Sequence, residues 1–162
     1  MVVAAVELYR PIEGIADSKL VTKTDRERLN NLICQQAVTF SYGQASAAEI
    51  DRLGIAPALA LAYERALETI KADLYLTDFI RLPNKKNLRA IKGDQLFYPV
   101  AAASIVAKVY RDSLMAELHQ NQPEYDWVNN VGYGTKKHFD AITKHGPSSL
   151  HRQSFLTKFM GK

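Results

Sequence analysis

The sequence contains little cysteine and no long apolar run, and both absences limit what the protein can be. Cys34 is the single cysteine among 162 residues, so the chain cannot form an internal disulfide. It lies in an apolar helical pattern, which predicts a buried thiol. No stretch reaches the roughly 20 apolar residues that a membrane span needs, and no signal-peptide pattern follows Met1. We therefore expect a soluble, cytoplasmic protein with no membrane partner.

The charge is also modest. The chain has 21 Lys and Arg against 17 Asp and Glu, a formal net charge of +4. This balance permits a polyanionic partner without requiring one. A length of 162 residues with 47% hydrophobic composition suits one domain with a real core, and is short for two. The sequence also lacks internal repeats and low-complexity tracts.

Strand and helix patterns alternate along the chain. Thr22 is placed to cap one helix, and Ser46 with Glu49 forms a capping box for another. The pattern predicts strands at 1–8, 38–43, 73–78 and within 88–94, and helices at 23–36, 46–54, 57–71 and from 98 onward. This alternation predicts an α/β domain with a mixed sheet.

The long helix that begins near Tyr98 carries an unexpected acid. Counting from Ile105 by helical steps reaches Val109 and then Asp112, so a carboxylate follows an apolar stripe. A bare charge is costly to bury. Asp112 either forms an ion pair with Lys108 one turn earlier or faces solvent at the edge of the stripe, or it faces a cation shared with another carboxylate. Alanines before it would let the helix lie close to a sheet.

A second acid, Asp78, comes at the end of a predicted strand. Reactive groups gather at the carboxyl ends of strands in α/β sheets, because the loops there diverge and leave a crevice. The alternative is that Asp78 simply begins a turn. Residue types alone leave both interpretations open.

A tyrosine framed by glycines precedes a basic helix start. Gly132 and Gly134 flank Tyr133 and would let the backbone approach a ligand closely, and Thr135 is placed to cap the next helix. Basic side chains nearby and in an earlier loop face either phosphates or solvent; they are Lys136, Lys137, Lys85 and Lys86.

Together, the short motifs of this chain resemble ribonuclease HII. The motifs occur in family order at 17–19 (Asp-Ser-Lys), 45–46 with 49–51, 74–78 (Leu-Tyr-Leu-Thr-Asp), 91–94 (Ile-Lys-Gly-Asp), 101–112, 132–138 (Gly-Tyr-Gly-Thr-Lys-Lys-His) and 145–147. The helix motif that ends in Lys-Val-Tyr-Arg-Asp is the most specific of them.

The resemblance implies a fold and an activity. It implies an RNase H-like mixed sheet flanked by helices, with a helical C-terminal portion, as a single domain over residues 1–162. It further implies endonucleolytic cleavage of RNA in RNA–DNA hybrids, including single ribonucleotides in duplex DNA, by a monomer. Family members use Mg²⁺ or Mn²⁺ held by four carboxylates, and hard carboxylate oxygens suit these ions.

The resemblance also assigns roles to residues of this chain. Asp78 matches the strand-end metal ligand and Asp112 the helix-borne acid, so both are implied to be catalytic and metal-binding. Tyr133 matches a tyrosine that stacks near the junction between ribonucleotide and deoxyribonucleotide. The other implied substrate-binding residues are Lys19, Ser104 and Lys136.

Two departures from the family pattern affect these expectations. Family members begin with a strand that carries Asp-Glu-x-Gly-Arg-Gly, whereas this chain starts at the segment that follows it, so we expect a first central strand and two of the acids to be missing. Phe79 stands where the family usually has glycine, and could crowd the cleft.

Three accounts therefore remain open. The chain is a ribonuclease HII whose first strand lies upstream of Met1, a degenerate paralogue that binds hybrids without cleaving them, or a domain with another role such as a protein-binding scaffold. We favour the first, with an impaired hybrid-binding protein as the alternative.

Overall fold

The computed structural model describes residues 1–15 and 21–160. The predicted motif Asp17-Ser18-Lys19 lies outside these residues. The strands are β1 (Val2–Glu7), β2 (Thr39–Gln44), β3 (Tyr75–Asp78) and β4 (Asn87–Ala90). The helices are α1 (Lys23–Gln36), α2 (Ala47–Leu53), α3 (Ile55–Ala66), α4 (Gly93–Leu96), α5 (Tyr98–Asn121), α6 (Trp127–Asn130), α7 (Lys136–His145) and α8 (Gln153–Met160).

The strands of the described residues form two separate pairs. β1 and β2 are antiparallel, with Val2 opposite Gln44 and Glu7 opposite Thr39. β3 and β4 are parallel, with Tyr75 opposite Asn87. The predicted α/β fold is confirmed, and both strand orientations occur, but they occur in two small sheets.

Local capping signals predicted several helix starts correctly. The Thr22 hydroxyl accepts a hydrogen bond from the Asp25 N–H at the start of α1. At α2, Ser46 and Glu49 form both bonds of the capping box. Hydrogen bonding from the Arg65 guanidinium to Glu49 holds the pKa of that carboxyl at about 2.

Helix α3 differs from the predicted helix over 57–71. It begins at Ile55, where Gly54 is both the last cap of α2 and the first cap of α3, so Pro57 falls inside the first turn. It ends at Ala66, because the Leu67 N–H bonds to both the Tyr63 and Glu64 carbonyls as the last turn tightens.

The buried face of α3 is made of alanines. Ala58, Ala62 and Ala66 have no exposed surface. They pack over β2 so closely that a Cβ at Gly43 would lie 1.8 Å from the Ala62 carbonyl oxygen. This contact fixes α3 against the first sheet.

Helix α5 connects two of the hydrophobic cores. Its first half buries Ala102, Ile105 and Val106 against Ile12, Leu29 and Ile33. Its second half places Met115 and Leu118 on a C-terminal cluster formed by Tyr125, Trp127, Ile142 and Leu156. The prediction of a long helix from Tyr98 is confirmed, and the alanines at 101 and 102 are buried.

One other prediction needs correction. Cys34 is only partly buried, because it lies at the border of the inner face of α1, and desolvation raises its pKa. Between α5 and α7 the chain forms a 3₁₀ turn at Pro123–Tyr125 and the short helix α6. No helix in the described part of the chain has the length and apolar character to cross a membrane.

Candidate functional site

A cavity of about 380 Å³ separates the two sheets. Strands β1 and β3 form its sides, while α5 and α3 contribute residues from the helices. Its lining is mainly apolar but includes these polar side chains: Glu7, Tyr63, Tyr75, Thr77, Asp78, Asp94 and Ser104. The cavity therefore lies where the carboxyl end of β3 meets the first half of α5.

Asp78 is the last residue of β3, as the sequence predicted. Its Oδ1 accepts a hydrogen bond of 3.0 Å from the Gly93 N–H at the start of α4. Gly93 lies so close that an added Cβ would be 3.0 Å from the Asp78 Cα. The Gly93 backbone thereby fixes one oxygen of the Asp78 carboxylate.

Thr77 stabilises the turn that follows Asp78. It is buried, and its hydroxyl donates to the Ile80 carbonyl at 2.7 Å and accepts from the Asn87 amide at 3.1 Å. These bonds connect β3, the turn after it and β4. They hold the backbone that presents the carboxylate.

Sequence reasoning assigned no role to Asp94, although it noted the motif that contains this residue. Asp94 is only 9% exposed and lines the same cavity as Asp78. Its place in the first turn of the four-residue helix α4 comes from the close approach of Gly93 to β3. The signal available in the sequence was an acid directly after a glycine in a turn.

Asp112 forms the ion pair that one of the two interpretations predicted. Its Oδ1 is 2.7 Å from the Lys108 Nζ and 3.9 Å from Arg111 Nη1, and its side chain is 25% exposed. Asp112 is not among the residues that line the cavity, which α5 contacts only from Pro99 to Ala107. A role for Asp112 in cation binding stays a prediction.

Arg111 connects Asp112 to Tyr133. Its guanidinium lies 5.2 Å from the centre of the Tyr133 ring and donates to the Val131 carbonyl. Tyr133 is 63% exposed, so its ring is open to a ligand. A stacked guanidinium holds an exposed ring in place.

The glycines beside Tyr133 have reasons within the fold. Gly132 has φ of 78°, and a Cβ at Gly134 would lie 2.8 Å from the Phe139 ring. The predicted cap at Thr135 is confirmed, since its hydroxyl accepts from the His138 N–H. Glycine at these positions is thus required by the turn and by Phe139, whatever Tyr133 binds.

The remaining predicted binding residues are dispersed. Ser104 lines the cavity from α5, and Lys136 is exposed at the first position of α7. Lys137 instead pairs with Asp126 at 2.9 Å, and Lys85 lies over the Tyr75 ring at 4.8 Å. Lys19 is outside the described residues.

Electrostatics in the cavity reflect its apolar lining. Burial raises the pKa of the Tyr63 hydroxyl, and the nearby negative charge of Asp78 raises it further. Tyr63 therefore stays neutral near pH 7 and is available as a hydrogen-bond donor beside the carboxylate.

The donor atoms suit a hard divalent cation but form only part of a coordination shell. Glu7, Asp78 and Asp94 line the cavity and offer carboxylate oxygens, which Mg²⁺ and Mn²⁺ prefer. No group of three or more His, Cys, Asp or Glu side chains within residues 1–15 and 21–160 is arranged to hold a metal. Carboxylates that are not grouped in this way should bind Mg²⁺ weakly.

Phe79 does not crowd the cavity. It is 67% exposed and is not part of the lining. Its φ of 64° lies in the left-handed region, which favours glycine. The backbone turn after Asp78, rather than the width of the cleft, is what suits glycine at this position.

Replacing Phe79 with glycine should raise the free energy of unfolding by about 1 kcal/mol, because it removes left-handed strain and little buried surface. Urea denaturation would measure the change. Ile91→Gly is the matched control, since Ile91 is 72% exposed and has no positive φ, and it should be destabilising. A loss of stability in Phe79→Gly would contradict the strain argument.

The sequence is similar to those of one known protein family. The sequence model of the Ribonuclease HII family matches residues 1–158. Ribonuclease HII of Clostridium perfringens is 42% identical over 150 residues, covering 90% of this chain and 55% of that protein. The protein of the same name from the Wolbachia of Brugia malayi is 49% identical over 148 residues, covering 89% and 72%.

Solved structures show the same fold. The RNase HII of Archaeoglobus fulgidus, solved in a complex with PCNA, superimposes with a TM-score of 0.79 at 21% identity, covering 96% of this chain and 86% of that one. The ribonuclease H2 of Pyrococcus horikoshii gives 0.74 at 21% identity, covering 99% and 96%. The chain spans 55% and 57% of the lengths of the first curated relatives.

Proposed function

This chain belongs to the ribonuclease HII family, and from that premise we propose that it acts as a metal-dependent endonuclease on RNA–DNA hybrids, including single ribonucleotides in duplex DNA. The observation that supports the proposal best is the position of Asp78 and Asp94. Both line one cavity at the carboxyl end of β3, and Gly93 fixes the Asp78 carboxylate.

The proposed cofactor is Mg²⁺ or Mn²⁺, with Asp78 as its main ligand in this chain. What such an ion supplies is activation of water and stabilisation of the leaving 3′-oxygen. Asp94 is a further acid on the same cavity, and we propose it as an additional ligand. Asp112 remains a candidate, but a cation there has to compete with Lys108, whose Nζ lies 2.7 Å away.

The proposed substrate contacts lie on α7, on the turn before it and in the cavity. Tyr133 offers an exposed ring, which suits stacking against a sugar or base at the junction, and Lys136 is exposed at the first position of α7. Ser104 faces the cavity that holds Asp78. Lys19 is retained as a substrate-binding residue from the resemblance alone.

The proposal extends to the organisation of the chain. Helix α5 packs on both the N-terminal and the C-terminal core, which supports one domain over residues 1–162. We propose that this domain acts as a monomer in the cytoplasm.

An impaired hybrid-binding protein is the alternative. Three acids of the described residues, Glu7, Asp78 and Asp94, line the cavity, but no three side chains there are grouped to hold a metal ion, so the affinity for Mg²⁺ is low. Binding of a hybrid depends on basic and aromatic side chains rather than on the metal, so it can persist when cleavage does not.

Incubation of the chain with a duplex that carries one ribonucleotide tests the proposal. With Mn²⁺ we expect a nick 5′ to the ribonucleotide, and no nick with chelator or in Asp78→Asn. Asp94→Asn should lose cleavage to the same extent, whereas Asp112→Asn should lose less, since Lys108 already neutralises that carboxylate. Product mapping on a sequencing gel would measure each.

Asp73→Asn provides the control for charge. Asp73 lies just before β3, is exposed and does not line the cavity. The Asp73→Asn variant should therefore cleave the duplex as fast as the unmodified chain. Nicking that survives chelator or Asp78→Asn would refute the nuclease proposal. Salt-sensitive binding with no nicking in either metal would favour the impaired protein.

A further inference from the structure

The segment 79–92, which runs from the end of β3 through β4, is strongly basic. It holds five of the 21 Lys and Arg residues of the chain and none of the 17 Asp and Glu residues. Its charge of +5 therefore exceeds the +4 of the whole chain, and the remainder has a net charge of −1. The five cations of this basic segment are Arg81, Lys85, Lys86, Arg89 and Lys92.

No ion pair within the described part of the chain neutralises these cations. All five side chains are exposed, and Lys85 lies over the Tyr75 ring. The ion pairs that the described residues form use cations of other segments, which are Arg65, Lys108, Arg111 and Lys137. Like charges that no acid separates repel one another, and a polyanion relieves that repulsion.

The first half of the basic segment is a fixed loop. Leu82 is only 6% exposed and anchors it. The Asn87 amide donates to the Ile80 carbonyl at 3.1 Å, and its oxygen accepts from the Leu82 N–H at 3.3 Å. The same amide also donates to the Thr77 hydroxyl in β3. Because the loop is already ordered, its cations lose less conformational entropy on binding a ligand than those of a flexible run.

Phe79 begins the basic segment and has two unfavourable properties. Its φ of 64° is left-handed, and its ring is 67% exposed. It directly follows Asp78, whose carboxylate accepts a hydrogen bond from the Gly93 N–H. Ile91, which follows the last paired residue of β4, is 72% exposed as well. Strained backbone of this kind clusters at ligand sites, so an exposed ring beside the cavity acid indicates a binding role.

We propose that the basic segment binds the nucleic-acid strand beside the cleavage site, with Phe79 packed against a sugar and the cations on phosphates. Charge of one sign suits a polyanion, and the position of Phe79 next to Asp78 puts the segment at the proposed point of cleavage. The inference rests on the proposed nuclease function and deepens it, because it assigns substrate contacts outside the cavity. Phosphate contacts fix the position of a duplex without selecting its sequence.

Binding of an RNA–DNA hybrid in the presence of chelator tests the inference without cleavage. The probe is a fluorescent hybrid of about 20 base pairs, roughly two helical turns, titrated at several salt concentrations. Arg81→Gln/Arg89→Gln should bind at least about tenfold more weakly, and its slope of log affinity against log salt should be smaller by about two, one for each lost phosphate contact.

Arg28→Gln/Arg52→Gln is the matched control for net charge. Arg28 lies in α1 and Arg52 in α2, both are exposed, and neither takes part in an ion pair with a described residue. This variant loses the same charge and should bind the hybrid with the affinity and salt slope of the unmodified chain.

Phe79→Gly should weaken binding about tenfold at an unchanged salt slope, because an apolar contact releases no counterions. Its expected gain in stability means that unfolding cannot explain the loss. Phe79→Leu keeps an apolar side chain and should bind within about threefold of the unmodified chain. Tyr9→Gly removes a ring that is 90% exposed elsewhere and should leave binding unchanged.

Amide chemical shifts locate the contact independently. The hybrid should shift the amides of residues 79–92 and leave that of Arg28 in place. Four results would overturn the inference: full affinity of Arg81→Gln/Arg89→Gln, full affinity of Phe79→Gly, equal losses in the two double variants, or shifts confined to other segments.

Failure of this inference is distinct from failure of the nuclease proposal. Nicking with Mn²⁺ by a chain whose basic-segment variants bind normally would overturn the inference and leave the nuclease function standing. The expected binding losses in a chain that never nicks would support the basic segment and favour the impaired hybrid-binding protein. Absence of hybrid binding by the unmodified chain would overturn the inference outright.

Discussion

Gly43→Ala is expected to lower the free energy of unfolding by about 3 kcal/mol, a large change for one methyl group. The new Cβ would lie 1.8 Å from the Ala62 carbonyl oxygen and 2.5 Å from the Ala66 nitrogen. Both atoms belong to the helix backbone, so they cannot move away by a side-chain rotation. Helix α3 would have to lift from β2, which exposes the alanine face that the first core buries.

Chemical denaturation followed by circular dichroism measures this loss. Gly54→Ala is the comparison, because nothing lies within 4 Å of its added Cβ and its φ of 83° is the sole source of cost. Because its ψ of 167° makes this conformation essentially restricted to glycine, that variant should lose about 1–2 kcal/mol, less than Gly43→Ala. Equal losses in the two variants would show that α3 and β2 separate easily and that the close contact is not important for stability.

Gly93→Ala is expected to reduce cleavage about 100-fold while changing stability by less than about 1 kcal/mol. The added Cβ would lie 3.0 Å from both the Asp78 Cα and the Thr77 carbonyl oxygen, so β3 and α4 must move apart by a few tenths of an ångström. The hydrogen bond that orients the Asp78 carboxylate then lengthens. The higher helix propensity of alanine offsets the loss in free energy of unfolding that this strain causes.

Two measurements separate this effect from general damage. Nicking rates with saturating Mn²⁺ report on the site, and the amide chemical shifts of residues 78 and 93 report on the hydrogen bond directly. Gly54→Ala again serves as the control and should cleave normally. Full activity of Gly93→Ala would mean that the position of Asp78 does not depend on the Gly93 contact.

Local signals in the sequence predicted most of the secondary structure. Thr22, Ser46 and Thr135 each cap the helix they were expected to cap, because a cap depends on residues only a few positions apart. The end of α3 was placed too late, since its apolar spacing continues through Leu67 and Ile70 although the helix does not. Leu67 and Ile70 are buried, but they belong to the non-helical segment that follows α3.

The site was less predictable, because it depends on contacts between distant segments. The position of Asp78 was predicted because it ends a strand pattern in the sequence, and the Lys108–Asp112 ion pair was predicted from helical spacing. Asp94 was missed because its burial depends on the approach of Gly93 to β3, which no local pattern encodes. The division into two sheets was equally hidden, since pairing partners are not specified by strand propensity.

The central position of α5 also determines when the molecule can fold. Its residues complete the core around Ile33 and support the core around Tyr125, so neither is closed until Asn121 has left the ribosome. The segments before Tyr98 that contribute to the core around Ile33 emerge with apolar faces that α5 has yet to cover. Nascent chains of this protein should accordingly depend on chaperones through the first two thirds of their synthesis.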